Sequence, residues 1–234
     1  MAVVGFDTAT ADTAAGATRG GSVLAEELIG PGEGGPRHST ALLVEVERAA
    51  AAAGGWDEVG MLAVGLGPGS FVGIRIAIST ARGLATSTGL PVAGICTLDA
   101  LARGLQEMGG GERDCLAVLD ARRGEAFAAL YAPDGERVWD PFVAAPADLA
   151  ARLAERPQAP LAGGPGAVRF RQELTSRGAE IPDDPDPVHR LAARHVCALA
   201  EVAPPGSDGA LEPIYLRPPD AERWRDRDTS QRSD

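Results

Sequence analysis

Two aspartates stand where a chain could hold a charged ligand, each closing an apolar run. Asp7 follows Ala2-Val3-Val4-Gly5-Phe6, and Asp120 follows Cys115-Leu116-Ala117-Val118-Leu119. A carboxylate at a strand end, with the hydroxyls of Thr8 and Thr10 just beyond it, suits a divalent cation and the phosphates such a cation would carry. A third feature is the run Gly65-Leu66-Gly67-Pro68-Gly69-Ser70-Phe71-Val72-Gly73-Ile74-Arg75. It follows an apolar run and opens a helical pattern, so backbone N–H groups around Gly67, Gly69 and Ser70 suit an anion. The same glycines suit a sharp strand-to-helix turn that needs positive φ, and spacing alone leaves both readings open. The turns after Asp7 and Asp120 are not the glycine-rich ones that wrap phosphate, and Arg122 and Arg123 crowd the second. They read as a degraded nucleotide site rather than a working one.

Composition removes other chemistries. The chain has 234 residues, 44% of them apolar and 24% charged, enough for a real core. All 22 basic residues are arginine and there is no asparagine. A Walker-A lysine, a Schiff-base lysine and a kinase-type catalytic asparagine are therefore impossible. His38, His189 and His195 show no pairing at the spacing of metal ligands on one helix turn. His195 falls on an apolar face with Leu191, Ala192 and Leu199, as a structural histidine does. Gly-Pro-Gly-Ser-Phe is not a nucleophile elbow, and no protease constellation appears. Cys96, Cys115 and Cys197 form no paired motif, which points to a reducing cytoplasm rather than a disulfide framework. Val3-Val4-Gly5-Phe6 is too short for a secretory apolar core, and no run approaches a membrane span, so no membrane role is expected. Net charge is −11 with no basic lobe, which leaves RNA to be held through a complex rather than by this chain alone.

The elements that would position these residues repeat. Strands are expected at 2–6, 12–18 and 22–28, then a helix capped by Ser39 with Leu42, Val46, Ala49 and Ala53 on one face. A strand at 61–66, a helix at 73–88, a strand at 91–95 and a helix capped by Thr97, with Leu98, Leu101, Leu105 and Met108 on one face, complete the first half. The second half reads as strands at 115–120, 125–131 and 137–142, a helix at 147–155 and a strand near 160–163. Gly164-Pro165-Gly166-Ala167 then opens a helix to about 177, before a weak strand near 180 and a helix at 188–203. Two tandem βββαβαβα units, each led by a strand ending in Asp, define an α/β protein. It has two ribonuclease H-like lobes, the duplication of the actin-like (ASKHA) superfamily. The first lobe spans 1–110 and the second 111–217; residues 218–234 read as a polar, disordered tail. On the helix at 73–88, Ala77, Ala81 and Ala85 recur at intervals of four, which permits close approach of another helix or of the chain's own sheet.

Six segments resemble the TsaB (YeaZ) family in family order across residues 4 to 217: FDTAT, PRHS, AVGLGPGSFVGIRIAISTARGLA, PVAGICTLDALA, LDARRGEAF and EPIYLR. The resemblance implies a role in making N6-threonylcarbamoyladenosine (t6A) beside the tRNA anticodon. It implies a non-catalytic subunit that binds and activates a TsaD-type paralogue, joined by a TsaE-type ATPase, with tRNA reached only through the complex. A homodimer through the same face stays open. No cofactor of its own is implied, with ATP or ADP and Mg placed at the complex interface. The degenerate phosphate site would be Asp7, Thr8, Thr10, Gly67, Gly69 and Ser70. The partner face would be His38, Leu42, Val46, Arg75, Ile78, Ala81, Arg82 and Ala85. Val72 stands where the family usually has Thr, which removes a hydroxyl near any ligand, and Val44 stands where Pro is common. The competing reading is an autonomous Mg-dependent ATPase or small-molecule kinase using Asp7 and Asp120.

Overall fold

Strand β1 (Ala2–Asp7) is buried along its whole length, so it must be covered on both faces. The computed structural model describes residues 1–109, 112–202 and 211–217, and the expected tail at 218–234 lies outside them. β1 pairs antiparallel with β2 (Thr13–Arg19), which turns through Gly20 and Gly21, φ 55° and 78°, into β3 (Ser22–Ile29). Two successive left-handed residues are what a tight hairpin with right-handed strand twist requires. On its other side β1 pairs parallel with β4 (Val59–Gly65), and β4 with β5 (Val92–Ile95), giving the order β3-β2-β1-β4-β5. The second sheet repeats this with β6 (Cys115–Asp120), β7 (Ala126–Tyr131), β8 (Arg137–Ala144) and β9 (Leu161–Gly163), in the order β8-β7-β6-β9. The weak strand near 180 survives as a single parallel bridge between Leu161 and Glu180.

The period-2 alternation of the two first strands sorts their side chains into three cores. Val4 and Phe6 face α1 (His38–Ala52) and α2 (Phe71–Thr88), where they pack with Leu42, Val46, Leu62, Ile74 and Ala81. Leu116 and Val118 face α4 (Pro146–Leu153), α5 (Pro165–Arg169) and α6 (Arg171–Thr175), with Leu149, Phe170 and Leu174. Val3 of the first sheet, and Ala117 and Leu119 of the second, share the middle core. There α3 (Thr97–Gly109) brings Leu98 and Leu101, and α7 (Ala193–Val202) brings Val196 and Cys197. The layers therefore run helices, sheet, helices, sheet, helices.

Several expected boundaries shift. Ser39 lies inside the first turn of α1, whose N-cap Arg37 makes no side-chain cap. Thr97 begins α3 but gives its hydroxyl to Asp7 instead of to its own helix. Met108 is exposed rather than on the buried face. The helix expected to run to 177 is broken at Phe170, whose backbone (φ −106°, ψ 28°) turns its ring into the outer core of the second sheet. The helix expected over 188–203 is a 3-10 turn at Pro187–His189 followed by α7. His195 is buried, as its apolar face required, with Nδ1 3.5 Å from Glu107 Oε1; burial lowers its pKa.

Because Leu98 is fully buried between the two sheets, truncating it should destabilise both at once. Leu98→Ala is expected to cost about 2–5 kcal/mol in urea unfolding. The loss of hydrogen-exchange protection should appear in β1 and β6 together, not in one sheet alone.

Candidate functional site

The end of β1 is an interior junction. Asp7 is 1% exposed, and both of its oxygens are engaged: Oδ1 accepts the Ala9 N–H at 2.5 Å and Oδ2 accepts the Thr97 hydroxyl at 2.6 Å. Thr97 Oγ1 in turn accepts the Gly67 N–H at 3.2 Å, and the Thr97 N–H donates to the Gly67 carbonyl at 2.8 Å. A Cβ on Gly65 would overlap the Asp7 carboxylate. Burial raises the Asp7 pKa from 3.8 to about 6, against the opposing pull of its hydrogen bonds to Thr97 and Ala9.

The glycine-rich run is spent on the protein's own backbone. The Ser70 N–H donates to the Ala9 carbonyl at 2.7 Å, the Thr8 hydroxyl donates to the Gly73 carbonyl at 2.7 Å, and a Cβ on Gly73 would strike the Thr8 carbonyl. Ser70 caps α2, its Oγ accepting the Gly73 N–H at 3.3 Å. The turn reading of this run is therefore satisfied inside the chain.

A cleft of about 880 Å³ lies between the two halves, within the size range of small-ligand sites. Of the six residues expected to form a phosphate site, Thr10, Gly69 and Ser70 line this cleft, whereas Asp7, Thr8 and Gly67 do not. The second aspartate is neutralised: Asp120 Oδ1 accepts the Arg122 N–H at 2.8 Å and Oδ2 accepts Arg169 Nη1 at 2.6 Å. Among the described residues no group of His, Cys, Asp and Glu is arranged to hold a metal ion.

What the cleft presents instead is arginine and aromatic surface. Arg75, Arg122, Arg123 and Arg217 line it with Phe71, Tyr215, Ile214 and the exposed Val72, and among the described residues Asp120 is its one acidic lining residue. Phe71 and Tyr215 stack with centroids 5.1 Å apart, and the Arg75 guanidinium lies 3.8 Å over the Phe71 ring. Arg122 and Arg123 have φ of 62° and 54°, a left-handed conformation that costs side-chain-bearing residues of order 1–3 kcal/mol each. Leu211–Arg217 form a strap across the cleft. The Ile214 N–H donates to the Leu66 carbonyl at 2.8 Å, while Arg217 bonds the Ala121 carbonyl and pairs with Glu125. Residues 75, 122, 123 and 217 share no spacing signal; the crowding of two arginines after Asp120 was the sole trace in the sequence.

The expected partner face divides. His38, Leu42, Val46, Ile78 and Ala81 are buried in the chain itself. His38 Nδ1 meets Thr13 Oγ1 at 2.9 Å, and the other four pack under α1 and α2. Their periodic stripe is the inward one, and Ala77 and Ala81 are small because α2 lies close on its own sheet. Arg75 and Arg82 are exposed and Ala85 is half-buried. The three cysteines are free and buried, and burial pushes the Cys197 thiol up to about 12.

The fold defines a two-lobed actin-like α/β protein, and arginines and aromatic side chains line its interlobe cleft. The family described as "TsaD: tRNA N6-adenosine threonylcarbamoyltransferase" matches residues 28–179. The Escherichia coli tRNA threonylcarbamoyladenosine biosynthesis protein TsaB is 36% identical over 140 residues, which span 59% of this chain and 58% of that protein. An uncharacterized protein of Mycobacterium bovis is 35% identical over 216 residues, 90% of this chain and 92% of its own. Among solved structures, YeaZ from Pseudomonas aeruginosa superposes with a TM-score of 0.72 at 24% identity, covering 92% and 99% of the two chains. A Thermus thermophilus ROK hexokinase, TM-score 0.52 and 17% identity, covers 87% and 100% and shares the fold alone. The chain belongs to the TsaB/YeaZ family.

The Asp7 junction makes a signed prediction. Its raised pKa means that the folded state binds the proton more tightly than the unfolded chain. The stability this contributes is therefore full below pH 3.8 and lost as pH rises through about 6. Asp7→Asn should be more stable than the parent at pH 7.5 by on the order of 2 kcal/mol. The difference should vanish below about pH 4 in urea titrations run across that range.

Proposed function

We propose that this chain is a non-catalytic subunit of t6A synthesis on tRNA, binding a TsaD-type transferase through the outer face of α1 and α2. Family membership supports the pathway, and the outer face of these two helices supports the docking. On α1, Leu43 is 55% and Val44 48% exposed, side by side on a stripe with Thr40 and Glu47. On α2, Val72, Arg75, Ser79, Arg82, Gly83 and Thr86 form the exposed stripe.

The observation that carries the reading is Gly83. Among the described residues a Cβ there would meet nothing within 4 Å, so none of them gives the glycine a packing need. It nevertheless costs an exposed helix interior roughly 0.5–1 kcal/mol. Close approach of a partner helix accounts for it. A TsaE-type ATPase would join this pair, nucleotide and magnesium would act at the assembled interface, and a homodimer would compete through the same face. The rival reading, an autonomous Mg-dependent kinase, needs Asp7 to face solvent, and the Asp7 carboxylate is sealed by Ala9 and Thr97.

Light scattering after size exclusion, on the chain mixed with the TsaD-type protein of the same organism, tests this. A 1:1 species is expected. Val44→Arg should abolish it while leaving the circular dichroism and melting temperature of the isolated chain unchanged. Gly83→Ala should raise the stability of the chain alone by roughly 0.5–1 kcal/mol and weaken the complex. Separate elution of the wild-type proteins, or millimolar-or-tighter ATP–Mg binding abolished by Asp7→Ala, would overturn the reading.

A further inference from the structure

The cationic cleft shares Val72 and Arg75 of α2 with the outer helix face, but its other arginines lie off that face. Net charge is −11, yet among the described residues four guanidiniums and a single carboxylate line this cavity; that carboxylate is paired with Arg169, and one of the guanidiniums, Arg217, with Glu125. Arginines from α2, from the β6–β7 turn and from the Leu211–Arg217 strap are gathered by the fold, not by the sequence. A compact, metal-borne polyphosphate is poorly served here. Its cation would need the sealed Asp7, and its cradle is filled by the packing of Ser70 and Gly73 on Thr8 and Ala9. The exposed guanidiniums of Arg75 and Arg122, on separate elements, suit charges strung along a chain, whereas Arg217 is held by Glu125 and the Ala121 carbonyl. Tyr215, 36% exposed and stacked on Phe71, and Val72, 64% exposed, offer flat apolar surface beside them. Spaced arginines with an aromatic platform are the chemistry by which single-stranded RNA is held, phosphates by charge and bases by stacking.

We infer that the rim of the interlobe cleft, with Arg75 and Arg122 beside Tyr215, is a contact surface for a single-stranded RNA segment. The inference rests on the tRNA-modification reading and assigns this chain a direct contact with the substrate, where composition alone left RNA to the partner. Such contacts position the nucleic acid without reading its sequence.

The test is fluorescence anisotropy of a labelled anticodon stem-loop against the full chain and against its complex with the TsaD-type partner, over a series of salt concentrations. The variants are Arg122→Gly, in which glycine keeps the left-handed backbone that alanine would strain, and Arg75→Gln. Arg177→Gln, in the exposed turn after α6 and not among the residues lining the cleft, serves as a charge-matched control. The double cleft variant should lower the slope of log K against log salt by about 1.4, or about 0.7 for each lost phosphate contact. Affinity should fall alike for unrelated stem-loops, and the control should match wild type. An unchanged slope in both chain and complex overturns the inference. So does displacement of the RNA by equimolar inorganic triphosphate, which would mark a compact anion site. Co-elution of each variant with the partner is measured alongside. A failure of the docking reading then appears as lost assembly, and a failure of this inference as intact assembly with an unchanged slope.

Discussion

The carboxylate of Asp7 has no route to solvent, and three separate segments depend on its two oxygens. Through Ala9 it fixes the turn after β1, and through Thr97 it fixes the start of α3. Through Thr97 and Gly67 it also fixes the loop that leads into α2. A buried carboxylate with these bonds missing would carry the full desolvation cost of an unpaired charge, so the three segments are held together or not at all. The glycines follow from the same constraint. Gly65 makes room for the carboxylate itself, and Gly73 lets α2 begin against the Thr8 backbone. The strand-end carboxylate that the sequence offered to a metal and phosphate is spent here on joining a strand, a loop and a helix.

The second constraint is the middle core. α3 belongs by sequence to the first half and α7 to the second, but each packs between the two sheets. α7 is further tied to the first sheet by the Thr18 hydroxyl donating to Glu201 at 2.8 Å and by the Arg194–Glu26 pair, while Arg190 clamps Asp12 with two bonds of 2.8 and 2.9 Å. Such bidentate arginine–carboxylate pairs fix orientation as well as distance. The width of the cleft is thus set by packing and ion pairs on one side and by the strap on the other.

The element order was legible because strand and helix periods are local properties, and both strand-ending aspartates were found. Sheet order and the shared core were not, since nothing in a run such as Leu98-Asp99-Ala100-Leu101 says which of two sheets it will cover. Leu42, Val46, Ile78 and Ala81 show a second limit. Periodicity finds the apolar stripe of a helix but does not say whether it meets the chain's own sheet or another protein. Here the stripe meets the sheet, and the outward face is marked by weaker signals: two unpatterned aliphatics, Leu43 and Val44, and one glycine. The gathering of the cleft arginines was invisible for a simpler reason. Residues 75, 122 and 217 are brought together by three different elements, one of them a strap whose role appears only when it crosses from Leu66 to Ala121.

Helix α2 is common to the outer helix face and the cleft, and this limits how independent those surfaces can be. Arg82, on its outer stripe, donates to the Leu211 carbonyl at 3.2 Å, and Arg75 donates to the Tyr215 hydroxyl at 3.3 Å. Both acceptors lie on the strap that lines the cleft. A protein that takes Arg82 for its own carboxylates removes one of the bonds anchoring the strap near its first described residue. The bond is exchanged for a charge-assisted one of comparable or greater strength, so the exchange is cheap for the partner and local to Leu211. Arg217 holds the far end through Ala121 and Glu125, beside the left-handed turn at Arg122 and Arg123. Seven residues therefore connect the outer face of the first lobe to the cationic turn of the second, and two of them, Ile214 and Leu216, pack against the middle core on the way.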